Sequence, residues 1–226
     1  MAYQHPFWQS IKAQFSTKSL VLIPIAVGIN LIGGTLCSTL KLPLFMDMIG
    51  TVIIACLSGP WVSALCGLLT NMFLALVANP VYLPYALASV LCGLVVGYMV
   101  KAGLMRKTWG VVLIWLALAL VNTVAASAVT VFVYGGSTGL NGTSVLTATL
   151  LVAVKDIMIS VLSSSLVENL VDKGITVLIA YLIVSGVPQR FLSQYAMGSV
   201  KEAGPVRFSD VDEDDDDSEP VEFVGR

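Results

Sequence analysis

The sequence predicts an all-α membrane protein: a six-transmembrane-helix bundle with both termini cytoplasmic and a disordered acidic C-terminal tail. Three observations predict it. The chain is 57% hydrophobic and 12% charged, with mean hydropathy +0.88, where soluble domains carry about 25% charged residues. Several near-uncharged runs reach the roughly 18–20 residues that cross a bilayer as a helix. The charge is also segregated: ten of fourteen acids lie in residues 202–226, while the first 200 residues hold nine Lys and Arg against four acids. The chain divides into a cytoplasmic N-terminal segment 1–18, a membrane domain 19–190 and a cytoplasmic tail 191–226.

Residues 1–18 are polar and mixed and lack the layout of a cleaved signal peptide. Phe7, Trp8, Ile11 and Phe15 are spaced to form a short amphipathic helix at the membrane interface. Span 1 runs from Ser19 to Leu40, with Pro24 in its first turns, where proline is tolerated. Its small residues, Ala26, Gly28, Gly33 and Gly34 around Asn30, admit a second helix closely, from the same bundle or from a partner. The stretch Lys41 to Thr51 follows and places the carboxylate of Asp47 at the mouth of an apolar segment. Such a group faces a bundle interior or a cavity, or sits among headgroups paired with Lys41.

Span 2, about Asp47 to Leu57, is short for a full crossing. Gly59-Pro60 marks a turn. Span 3 runs from Trp61 to Ala78 with Thr70 and Asn71 inside it, and Asn79-Pro80 breaks the chain again. Span 4, Leu83 to Val100, carries the small-residue pair Gly93 and Gly97, a helix-contact signal. Span 5, Trp109 to Tyr134, has Asn122 and Thr123 near its middle, and Gly135 to Ser144 is a loop. Val145 to Leu170 is apolar but holds Lys155, Asp156, three serines and Glu168. It is expected as a helical hairpin or re-entrant stretch. The last span is expected from Gly174 to Val187, after Asp172 and Lys173.

Lys101, Arg106 and Lys107 have no acid among them and mark a cytoplasmic loop. With that loop inside, nine of twelve basic residues are cytoplasmic, and Lys41, Lys155 and Lys173 fall at the outer face. This predicts a multi-pass plasma-membrane protein. The acidic run Asp212 to Asp217 self-repels and stays unfolded.

No enzyme signature appears: no nucleophile with a base, no metal-ligand spacing and no phosphate loop with its lysine. No cofactor, metal or nucleic-acid partner is expected. Cys37, Cys56, Cys66 and Cys92 lie inside apolar runs and read as small buried hydrophobes. The single histidine, His5, has no partner set. Polar residues instead collect toward the outer face: Asp47, Asn79, Lys155, Asp156, Glu168, Asn169, Asp172 and Lys173. Asn71 lies about 12 Å deeper than Asn79 and about 80° from it around span 3. With Tyr82, Tyr85 and Asn122 they outline a pocket for a small polar molecule with a flat part, the two tyrosines fitting an interfacial aromatic belt equally well. The nine candidate binding residues are Asp47, Asn71, Asn79, Tyr82, Tyr85, Asn122, Glu168, Asn169 and Lys173. A self-sufficient secondary permease is the competing expectation. Proton coupling needs an acid at midplane depth, and the acids outside the tail are expected near the outer face.

The order Leu31-Ile-Gly-Gly, Lys41-Leu-Pro-Leu-Phe-Met-Asp-Met-Ile-Gly-Thr, Ser58-Gly-Pro-Trp, Leu69-Thr-Asn and Asn79-Pro resembles the substrate-binding S component of energy-coupling factor (ECF) transporters. Glu168-Asn-Leu-Val-Asp-Lys is similar as well, and the resemblance covers about residues 15–190. It implies a six-helix bundle that captures a vitamin or similar micronutrient at the outer face. It also implies partners: a scaffold membrane subunit and two cytosolic ATPases, which make an ABC-type importer. The family's alanine-xxx-alanine docking face corresponds here to Ala26 through Asn30, where the second alanine is replaced. Ala26, Gly28, Asn30 and Gly33 are thus the docking candidates.

Overall fold

The computed structural model describes residues 11–12, 14–139, 142–192 and 194–195. The start of the expected amphipathic segment and the acidic run lie outside the described residues. Those described form eight α-helices and two 3-10 turns, with no strand among them. They are α1 (Thr17–Thr39), α2 (Ile49–Ser58), α3 (Pro60–Val77), α4 (Ala86–Lys101), α5 (Thr108–Tyr134), α6 (Thr143–Val154), α7 (Ile157–Gly186) and α8 (Gln189–Leu192). The 3-10 turns are Pro80–Tyr82 and Leu104–Arg106. α1, α3 and α5 are long and apolar enough to cross a membrane.

The helices wear their apolar residues outward. Val21, Ile25, Ile32 and Leu36 of α1, and Leu178, Leu182 and Ile183 of α7, are exposed, while Asn30, Thr70, Asn71, Asn122 and Asn169 are buried. Lipid tails are as apolar as leucine, so a bundle in hydrocarbon gains by turning polar groups to one another. Asn30 does this for three helices. Its Nδ2 donates to Thr51 Oγ1 at 2.9 Å and Thr70 Oγ1 at 3.0 Å, and its Oδ1 accepts from Gly50 N at 2.7 Å. Gly93 and Gly97 let α4 lie directly on α3: a Cβ on Gly97 would collide with Pro60 Cα.

One end of the bundle is basic. Gln14 accepts from Trp61 N at 3.1 Å, which puts the α2–α3 turn beside the start of the described chain. Lys18 donates to Gln194 at 3.0 Å, so the chain's two flanks share that end. Gly97 against Pro60 brings the last turn of α4, with Lys101, to the same end. The 79–85 turn lies at the other end.

The region 145–187 departs from expectation. α6 ends at Val154, Lys155 turns the chain in the left-handed region (φ 58°), and Asp156 caps α7 by accepting from Ile159 N at 2.9 Å. α7 then runs unbroken for 30 residues, so the last long helix begins at Ile157 and not at Gly174. Serines and charges read as interruptions, but Ser160, Ser164, Glu168, Asp172 and Thr176 recur every four residues and form the buried face of one helix.

Candidate functional site

The site is built around the loop between α1 and α2. Residues 43–48 are irregular, and α2 begins only at Ile49, which is why span 2 reads short. Irregular backbone at membrane depth is tolerated where it is buried in protein or lines a cavity. Two neighbours seat it. A Cβ on Gly33 would collide with the Met46 carbonyl, and one on Gly34 would touch the Asp47 Cβ at 3.4 Å. From the opposite side, Asp172 Oδ1 accepts Phe45 N–H at 3.0 Å and Met46 N–H at 2.8 Å. Met46 is thereby held at φ 49°, a region side chains rarely adopt.

Asp172 and Lys173 therefore lie at the middle of α7, not at an outer surface, and both side chains are fully buried. Lys173 Nζ stands 2.6 Å from Asp172 Oδ2 and 3.7 Å from Asp47 Oδ1. The partner of Asp47 is thus Lys173. Lys41, the headgroup-layer alternative, donates to the Gly139 carbonyl at 3.2 Å. Charges survive in such an interior only when paired and hydrogen-bonded, and this cluster of two acids and one base is both. The expectation that acids keep to the outer face is corrected with it, since Asp172 and Glu168 are buried in mid-helix.

Two small adjoining cavities open beside the loop. Phe45, Tyr85, Asn122 and Ala126 line both. The first adds Asp47, Asn71, Tyr82 and Ser89; the second adds Glu168, Asn169 and the hydroxyls of Thr130, Thr143, Thr147 and Ser165. Seven of the nine candidates thus line one cavity or the other, and Lys173 stands behind Asp47. Asn79 does not line either: it caps the Pro80–Tyr82 turn, accepting from Val81 N at 3.0 Å.

The aromatic wall is fixed by polar ties. Tyr85 and Tyr134 stack with centroids 6.0 Å apart and planes 8° from parallel. Tyr134 donates to the Val81 carbonyl at 3.0 Å, and the Tyr85 hydroxyl lies 2.7 Å from Thr130 Oγ1. Burial pushes the Tyr82 and Tyr85 hydroxyls, which lie in the turn before α4, up to about 12, so both remain protonated. Phe45 and Tyr134 escaped the sequence reading, and Asp172 was placed among the outer-face polar residues but not among the binding candidates. A signal for Asp172 was present in its spacing of four from Glu168, which places the two on one helical face.

The docking candidates separate. Ala26 and Asn30 are buried in the chain's own bundle, and Gly33 is spent on Met46. Only Gly28 has open space where a Cβ would sit, beside exposed Val21, Ile25 and Ile32.

A family model described as the ECF transporter, substrate-specific component, matches residues 18–184. The chain belongs to this family. It is a substrate-specific membrane subunit of a transport system, and the match takes in α1 to α5, α6 and nearly all of α7. No curated protein and no solved structure matches the chain.

Proposed function

We propose that this S component captures a small vitamin-like nutrient with a flat polar part at the two adjoining cavities and delivers it inward with an ECF scaffold subunit and two cytosolic ATPases. The observation that carries this is the convergence of Asp47, Asn71, Tyr82, Tyr85 and Asn122, from four separate segments, on one cavity. Aromatic walls with a few placed polar groups are the usual composition of a small-molecule site. The six crossings are α1, the 43–48 loop with α2, α3, α4, α5 and α7, with α6 packed on α7. Lys18, Lys101, Arg106, Lys107 and Arg190 favour the basic end as cytoplasmic, which puts both flanks inside a plasma membrane and the cavities on the outer side.

The test is a thermal-shift screen of the purified chain against vitamins, nucleobases and their precursors. A ligand at 100 times its dissociation constant adds about 2.7 kcal/mol. Asn71→Ala is expected to weaken the hit by about fivefold with expression intact, since a neutral hydrogen bond contributes roughly 1 kcal/mol. Unchanged affinity would remove Asn71 from the site. Gly28→Leu is expected to leave binding intact and abolish module-dependent transport, because a Cβ there has no neighbour within 4 Å. Full transport by that variant would move the docking face elsewhere.

The permease alternative regains an acid from the structure, since Asp172 lies at mid-helix. That carboxylate is occupied by two backbone N–H groups and Lys173, an arrangement for holding a loop in place. Transport by the chain alone in vesicles discriminates between the two.

A further inference from the structure

We infer that the cargo turns a donor-rich face, an amino or amidinium group on a flat nitrogen heterocycle, toward Asp47, Asn71 and Asn122. The inference rests on the proposed capture function and names its substrate class.

The hydrogen bonds around the first cavity consume donors and leave acceptors. Asn71 Nδ2 donates to the Gly67 carbonyl at 3.2 Å and to Ser89 Oγ at 2.6 Å. A carbonyl only accepts, so the atom facing Gly67 must be the nitrogen. Asn71 Oδ1 is left buried with no partner, on a side chain 1% exposed. Asn122 is fixed the same way through a relay. Asn169 Nδ2 donates to the Ser165 carbonyl at 2.8 Å, so Asn169 Oδ1 faces Asn122 and receives its Nδ2 at 2.6 Å. Asn122 Oδ1 then keeps only the weak Cys92 thiol at 3.6 Å. Thr130 Oγ1 spends its proton on the Ala126 carbonyl at 2.9 Å, so Tyr85 must donate to Thr130, leaving its oxygen lone pairs.

Charge points the same way. Lys173 makes its short contact with Asp172 at 2.6 Å and stands 3.7 Å from Asp47, and two acids against one base give the cluster a formal charge of −1. No Lys, Arg or His is among the described residues lining either cavity. A carboxylate cargo would meet acceptors and negative charge with no countercharge. An amino-substituted ring satisfies the amide oxygens and Asp47 while its faces lie against Phe45, Tyr82 and Tyr85, where a cationic ring gains further. Ser89, which accepts from Asn71, keeps one hydroxyl proton for a ring nitrogen.

The experiment is titration of the full chain in detergent with two probe sets: adenine, pyridoxamine and thiamine against nicotinate, pantothenate and biotin. The expected result is stabilisation by at least one amino-bearing probe and none by the acids. Asp47→Asn should weaken the hit by about 10- to 100-fold, the range for a hydrogen bond to a charged group. The melting curve of the ligand-free variant reports whether it still folds, and the comparison of probe sets on the unmodified chain decides the question if it does not. Tight binding of an acid, or indifference of a hit to a folded Asp47→Asn, overturns the donor-face inference and leaves capture standing. Silence from both sets overturns both.

Discussion

Lys173→Met is expected to destabilise the protein by about 3–5 kcal/mol, read as a fall in melting temperature on the order of 10 °C. The substitution keeps an unbranched apolar stem one atom shorter and removes the ammonium group. Two carboxylates, Asp172 and Asp47, then share a buried site with no cation between them. Breaking one partner out of a buried ionic cluster is costly because the remaining charge is neither solvated nor paired. The loss spreads beyond the cluster. Asp172 also carries the N–H groups of Phe45 and Met46, so a carboxylate that protonates or swings away releases the loop that lines both cavities. Thermal melts of Lys173→Met beside Lys173→Arg check this, since arginine keeps the charge. Equal melting temperatures for Lys173→Met and the parent would mean that the cluster is not structural.

Gly33→Leu is expected to abolish ligand binding and sharply reduce folded protein, in contrast to Gly28→Leu five residues away on the same helix. The sequence alone groups both glycines with Ala26 and Asn30 as docking candidates, with packing inside the chain's own bundle equally open. The structure separates them: Gly28 has open space, whereas at Gly33 any Cβ collides with the Met46 carbonyl. That obstacle is backbone, so no rotamer change relieves it. The loop must move away from α1, and the Asp172 clasp and the position of Asp47 move with it. Overpacking of this kind costs typically 1–3 kcal/mol where the surroundings yield, and more where a left-handed residue such as Met46 is already held by its contacts. Gly33→Leu protein that melts normally and binds ligand would show that the loop does not rest on α1.

Much of this organisation was legible from the residues. Helix limits for α1, α3, α4 and α5 fall within three residues of those expected from apolar runs and from Gly-Pro and Asn-Pro breaks, because long spans are written by hydropathy. The presence of Asp47, Asn71 and Asn122 beside a cavity was also expected, since an amide or acid inside an apolar run has few places to go, whereas Tyr82 and Tyr85 fitted a headgroup belt as well as a pocket. Two things were not legible. Charges in α7 read as a break because the sequence does not show which neighbours will neutralise them. Asp47 and Lys173 are 126 residues apart, and Lys41 was the nearer candidate. The inward duty of Gly33 was hidden as well, because a small residue serves a backbone loop of its own chain and a foreign helix equally well. In each case the missing information was a long-range contact, which local periodicity does not encode.

The most direct measurement is uptake of a labelled ligand, found by thermal shift, into proteoliposomes holding the chain alone or the chain with an ECF scaffold and its two ATPases. A capture subunit is expected to bind ligand without accumulating it when alone, and to accumulate it only with the module and ATP. Accumulation by the chain alone, driven by an ion gradient and abolished in Asp172→Asn, would contradict the account and identify a secondary permease.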